Sequence, residues 1–204
     1  MERVGILGGT FDPPHLGHLI LAETARESLH LDRVLFMPTG EPPHKQSQTI
    51  SAVYHRLAMA RLAIAGNPFF QLDPTDADRP APHYTHSLLP LLQEALPAAQ
   101  LWLLLGGDSL RDLPTWHAPA AIIACCRLAV LPRPEAGFDL PELEQTIPGL
   151  AAAVDLLAGP AIHLSGTQIR AWSRAGRSLR YLLPESVRGY IQEHQLYQSL
   201  SPGF

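Results

Sequence analysis

The sequence predicts an α/β fold: a Rossmann-like, doubly wound parallel sheet with helices on both faces and a small helical part near the C-terminal end. Three observations predict it. Short apolar runs alternate with stretches of helical periodicity along the chain, the pattern of stacked βαβ units. The first apolar run leads directly into Gly8-Gly9-Thr10, at the strand end where open parallel sheets hold their ligands. With 204 residues, 46% apolar and 17% charged, the chain suits a packed domain and not a disordered one. One domain over residues 1–204 suffices.

The elements follow in order. Arg3–Gly8 reads as a buried first strand, and apolar residues recur at helical spacing from His18 to Leu29. Val34–Met37 is a second strand, ended by Pro38-Thr39-Gly40; the two prolines of Glu41-Pro42-Pro43-His44-Lys45 call for an extended loop. Ser51–Ala65 is a second helix with Ser51 as its expected cap. Phe69–Leu72 is a strand, Asp73–His83 a polar, proline-bearing loop, and Thr85–Leu96 a helix despite Pro90. Leu101–Leu105 is a strongly apolar strand opening into Gly106-Gly107-Asp108-Ser109. A helical stretch over Thr115–Ala124 precedes the strand Leu128–Leu131. Residues 135–160 carry no clear pattern. Ala161–Leu164 reads as a last short strand, followed by helices over Thr167–Arg174 and Pro184–His194.

Composition excludes some classes of function. A net charge of −4 argues against a general nucleic-acid binder, which carries a basic surface. No apolar run is long enough to span a bilayer, and the first residues lack a signal-peptide plan; the expected compartment is the cytoplasm. The adjacent Cys125 and Cys126 do not suit a disulfide with each other. Burial as small apolar side chains and reactivity as thiols both stay open for them. No Cys/His spacing resembles a zinc site.

The chemistry concentrates in the first loop. Glycines after a strand let backbone N–H groups approach an anion, and the following helix adds its positive end. This is neither a Walker loop nor a dinucleotide fingerprint. His15 and His18, three apart at the helix start with Gly17 between them, can project together. Two imidazoles there can donate to phosphoryl oxygens as charge builds in a transition state. Surface histidines and a metal pair are the alternatives, the latter without a third ligand nearby. Asp108 suits either a ribose hydroxyl or a helix cap. Ser165 and Thr167 sit at another helix start, with Arg170 one turn in.

Gly8-Gly9-Thr10-Phe11-Asp12-Pro13-Pro14-His15-Leu16-Gly17-His18 resembles the signature of the nucleotidyltransferase superfamily with the His-x-Gly-His motif. Its wording is most similar to the bacterial nicotinate mononucleotide adenylyltransferases. The likeness continues through Leu113-Pro114-Thr115-Trp116 and Leu131-Pro132-Arg133-Pro134, and through Leu164-Ser165-Gly166-Thr167-Gln168-Ile169-Arg170. It is weaker at Tyr84-Thr85, where His83, Ser87 and Leu88 replace the family's Ser, Asp and Thr, and Gly166 stands for a Ser.

The resemblance implies transfer of the adenylyl group of ATP to nicotinate mononucleotide. It implies catalytic roles for His15, His18, Lys45 and Arg170. ATP would meet Gly8, Gly9, Thr10, Phe11, His15, His18, Gly106, Asp108, Ser165, Thr167 and Arg170. The mononucleotide would meet Thr39, His44, Lys45, Tyr84, Thr85 and Arg133, with the Trp116 indole stacked on its pyridine ring. Residues of about 161–197 would form the C-terminal phosphate-binding part. Mg2+ would arrive with ATP, without a protein-built metal site. Homo-oligomers are compatible with the sequence. The alternatives are another acceptor within the superfamily, nicotinamide mononucleotide or phosphopantetheine, and a non-catalytic nucleotide-binding regulator.

Overall fold

Strands β1 (Glu2–Gly9), β2 (Arg33–Pro38), β3 (Phe70–Leu72), β4 (Ala99–Gly106), β5 (Arg127–Leu131) and β6 (Val154–Leu156) form one sheet in the order β3-β2-β1-β4-β5-β6. Every pairing is parallel. The computed structural model describes residues 1–41, 50–132, 137–160 and 162–198. The strand order reverses at β1: β2 pairs on one side of it and β4 on the other. A crevice at the carboxyl ends of these strands is where such a sheet holds a ligand.

The inner strands are buried on both faces, as parallel strands with helical crossovers must be. Side chains alternate between two cores. Leu7, Val34, Phe36, Trp102, Leu104 and Ala129 face one way. Val4, Ile6, Leu35, Met37, Leu101, Leu103 and Val130 face the other. The first core is closed by α1 (Leu16–Leu29), α2 (Val53–Ile64), α9 (Gly166–Arg174) and α10 (Glu185–Glu193), through residues such as Ala22, Met59, Ile169 and Val187. The second is closed by α4 (Thr85–Ala95), α5 (Gly107–Asp112), α6 (Pro119–Cys125), α7 (Leu140–Thr146) and α8 (Leu150–Ala153). Burying each large apolar side chain contributes roughly 1.5–3 kcal/mol.

Several expectations need correction. Ser51 does not cap the second helix; Ala52 precedes it, with no side-chain cap. The Ser51 N–H instead donates to Asp12 Oδ2 at 3.2 Å. The polar loop after β3 contains a short helix, α3 (Thr75–Asp78). The helix expected from Thr115 begins at Pro119, because Leu113–Thr115 forms a 3-10 turn and Trp116 is extended. The strand expected over Ala161–Leu164 falls partly on Ala161, which lies outside the described residues. Val154–Leu156 takes the sheet edge, and 162–164 carry no strand. Among the described residues no helix is long and apolar enough to cross a membrane.

Candidate active site

A cavity of about 470 Å³ opens at the carboxyl ends of β1 and β4. The first loop forms its floor, with Gly8, Gly9, Thr10, His15, Gly17 and His18 in the wall. A Cβ on Gly8 would meet nothing within 4 Å, so that peptide faces open space. Gly106, Asp108 and Ser109 line the cavity from the end of β4, and Ser165 and Gly166 from the start of α9. Thr39, Tyr84, Thr85, Trp116 and His117 complete it on the side of β2 and α4.

At the start of α1 the two histidines form one unit. Their rings stack with centroids 3.7 Å apart and planes 20° apart. The His15 backbone N–H donates to His18 Nδ1 at 3.1 Å. A nitrogen that accepts carries no proton, so the donor nitrogen of the neutral His18 ring is Nε2. His15 is buried. The Leu16 N–H donates to Leu182 O at 3.0 Å, which ties this helix start to the segment before α10.

Not every expected residue reaches the cavity. Phe11 adopts a left-handed φ of 50° and is 1% exposed. Its ring lies edge-on beneath His18 at 5.0 Å and against Phe36 at 5.8 Å. Apolar packing draws it into the core, so it supports His18 from below and is absent from the cavity wall. Arg170 also lies behind the wall, 5% exposed. One of its terminal nitrogens donates to Asp12 O at 2.8 Å, the other to Thr167 Oγ1 at 3.3 Å. A Cβ on Gly166 would stand 3.0 Å from Asp12 O and 3.4 Å from that guanidinium. The first loop and the start of α9 are therefore packed against each other. His44, Lys45 and Arg133 lie outside the described residues.

Asp108 does not cap a helix: Gly106 precedes α5, and Asp108 sits in its first turn, on the cavity. Cys126 is buried, and burial pushes its thiol up to about 12. That keeps it protonated at neutral pH and excludes it as a nucleophile. Among the described residues no group of three or more His, Cys, Asp or Glu side chains is arranged to hold a metal ion.

Sequence reasoning missed several residues that build the site. Arg56 is 2% exposed and, among the described residues, donates to four carbonyls: Ser51 O at 3.0 Å, Thr10 O at 3.0 Å, Thr39 O at 2.6 Å and Gly40 O at 2.5 Å. It fastens the ends of β1 and β2 and the approach to α2 to one another. Its signal is visible in hindsight, since Arg56 heads the buried stripe Met59, Ala60, Ala63, Ile64. Asp12 is 3% exposed and accepts from Tyr197 Oη at 2.6 Å. His117 stacks on Tyr84 at 4.7 Å and on His86 at 4.5 Å, adding an aromatic group beside Trp116.

Comparison with known proteins agrees with this geometry. The cytidylyltransferase-like family model matches residues 6–172. A "Probable nicotinate-nucleotide adenylyltransferase" of Roseiflexus sp. (strain RS-1) is 46% identical over 195 residues, covering 96% of this chain and 98% of the relative. The protein of the same description from Thermomicrobium roseum is 45% identical over 200 residues, 98% and 94% of the two chains. Among solved structures, the Plasmodium falciparum nicotinic acid mononucleotide adenylyltransferase complexed with NaAD superposes with a TM-score of 0.79. Identity there is 16%, over 97% of this chain and 98% of that one, and the likeness is one of fold. The chain belongs to the cytidylyltransferase-like nucleotidyltransferases and, among them, to the family of the nicotinate-nucleotide adenylyltransferases.

Proposed function

We propose that this protein transfers the adenylyl group of ATP to nicotinate mononucleotide, releasing pyrophosphate and forming nicotinate adenine dinucleotide. The observation that carries this reading is one cavity lined by the His15–His18 helix start, the Ser165-Gly166 helix start and an aromatic wall of Tyr84 and Trp116. The first two suit a polyphosphate; the third suits a flat heterocycle. The family's relatives carry the matching name. Residues 1–204 act as one nucleotidyltransferase unit, and the working compartment is the cytoplasm.

The mononucleotide's phosphate oxygen attacks the α-phosphorus of ATP in line. A new P–O bond forms as the bond to the β-phosphate oxygen breaks, and pyrophosphate leaves with that electron pair. A phosphate dianion is already nucleophilic, so alignment and charge stabilisation suffice. His18 donates from Nε2 to the phosphoryl oxygens, held in that tautomer by the His15 N–H. His15, Gly8, Gly9, Thr10, Ser165 and Thr167 cradle the phosphates. Arg170 places its charge behind Gly166, Gly106 and Asp108 meet the ribose, and Phe11 buttresses His18. Thr39, His44, Lys45, Tyr84, Thr85, Trp116 and Arg133 hold the mononucleotide, with Lys45 also neutralising the triphosphate. Mg2+ comes bound to ATP as part of the substrate.

Incubation with ATP and nicotinate mononucleotide should give the dinucleotide by mass together with pyrophosphate; nicotinamide mononucleotide and phosphopantetheine serve as competing acceptors. Conversion of phosphopantetheine alone would overturn the assignment. His18→Ala should keep the fold and lower turnover by roughly two to three orders of magnitude. A folded His18→Ala protein with near-normal turnover would remove His18 from the chemistry.

A further inference from the structure

Tyr84 and Thr85 form a wall of the cavity, yet Tyr84 only precedes α4 and Thr85 opens it, and neither belongs to a strand. Arg79 holds them instead. Its Nε donates to Asp76 Oδ1 at 2.7 Å. One terminal nitrogen donates to Ser87 Oγ at 2.9 Å and Pro82 O at 3.2 Å, the other to Tyr84 O at 3.0 Å. Ser87 Oγ donates onward to the same Tyr84 carbonyl at 2.9 Å. A single planar fork thus fixes both sides of the turn, a geometry an ammonium cannot reproduce.

The charges are balanced within the fold. The side chains of Arg79 and Asp76 are 11% and 8% exposed. Asp76 belongs to α3, whose start is tied to the sheet: the Thr75 N–H donates to Asp73 Oδ1, and the Asp73 N–H to Phe36 O of β2, both at 2.9 Å. The chain of contacts runs from β2 through α3 and Arg79 to Tyr84, just before α4, and to Ser87 in the first turn of that helix. Asp76 itself borders the cavity, whereas Arg79 does not. Arg79 is therefore not placed to bind a ligand. It sets the position of residues that are.

We propose that Arg79 is a positioning residue for the mononucleotide side of the cavity, with Asp76 as its counter-charge and Ser87 as a relay to the Tyr84 carbonyl. The proposal rests on the reaction proposed above and assigns to this arginine the task of holding the acceptor wall. ATP, bound at the opposite helix starts, should be indifferent to it.

The test is a comparison of the two Michaelis constants, followed by pyrophosphate release, with thermal melting as a check on folding. Arg79→Met should raise KM for nicotinate mononucleotide about tenfold and leave KM for ATP within about twofold. If the methionine variant does not fold, Arg79→Lys carries the same test, since it keeps the charge and loses the fork. Asp76→Asn should weaken the acceptor in the same direction. Ser87→Ala, which removes both the relay to the Tyr84 carbonyl and an acceptor of Arg79, should also raise KM for nicotinate mononucleotide, by less than Arg79→Met does. Equal changes in both Michaelis constants, no change in either, or an unchanged KM for nicotinate mononucleotide in Ser87→Ala would overturn the proposal. A wild-type protein inert toward nicotinate mononucleotide would instead overturn the reaction on which it rests.

Discussion

Where β2 ends, Gly40 lies against the buried imidazole of His83, and a Cβ built there would stand 2.5 Å from the ring and 3.2 Å from Ala77 O. No side chain fits while His83 keeps its place. Gly40→Ala should therefore cost about 1–3 kcal/mol of stability, the usual penalty for forcing extra volume into a packed site. The same substitution in a His83→Ala background should cost clearly less, because the ring that clashes is gone. A double-mutant cycle by chemical denaturation measures this coupling; strictly additive losses would show that the clash is relieved elsewhere. At this scale the sequence is only partly readable. Glycines and histidines announce themselves by type, whereas a hydroxyl before a helix need not cap it: Ser165 does and Ser51 does not. The partners of a buried Arg56 or Asp12 come from segments far apart, and no local pattern names them.

Among the elements, β4, β5 and β6 are joined by one carboxylate. Asp155 of β6 accepts from Trp102 Nε1 of β4 at 2.9 Å, and from two nitrogens of Arg127 of β5 at 2.7 Å each. The Arg127 hydrogen bonds hold its carboxyl below the usual carboxylate value of 3.8, against the opposing effect of burial. A carboxylate with a depressed folded pKa stabilises the fold above its unfolded pKa, and that contribution is lost as pH falls through the folded value. Asp155→Asn should cost about 1–2 kcal/mol at pH 7, allowing for partial solvent screening. The melting-temperature gap between wild type and variant should narrow as pH drops below about 4; a gap independent of pH would mean the loss is one of packing. The strands on either side of β1 are evident from the sequence because they are long, apolar runs ended by Gly or Pro. Strand β6 is not, since three half-exposed residues at a sheet edge leave no such run. The apolar residues Ile162 and Leu164 look more strand-like, yet Leu164 lines the cavity and Ile162 is exposed.

Over the whole molecule, Asp12 gathers the chain. Its carboxylate accepts from the Ser51 N–H and from Tyr197, and its carbonyl accepts from Arg170. The first loop, the approach to α2, α9 and the segment after α10 all meet at this residue. Burial first, and then the neighbouring Asp12, raise the Tyr197 hydroxyl above its ordinary value of 10.0. The folded state thus keeps a proton that the unfolded chain gives up near pH 10, so stability falls as pH rises beyond that point. Tyr197→Phe should lose about 1 kcal/mol at neutral pH and show a shallower alkaline decline. An unchanged alkaline slope would assign that decline to other groups. The resemblance of separated motifs suggests that the first loop and residues 165–170 work together; only the fold reveals that they meet at Asp12, whose carbonyl takes Arg170 and whose carboxylate takes a tyrosine beyond both of them.

The bond between Asp12 and Tyr197 spans 185 positions, with a consequence for synthesis. A nascent polypeptide lays down Asp12 185 positions before the hydroxyl that completes this junction. Until that hydroxyl arrives the carboxylate must stay hydrated or borrow another partner, so the arrangement around it is completed only after both distant segments have been made.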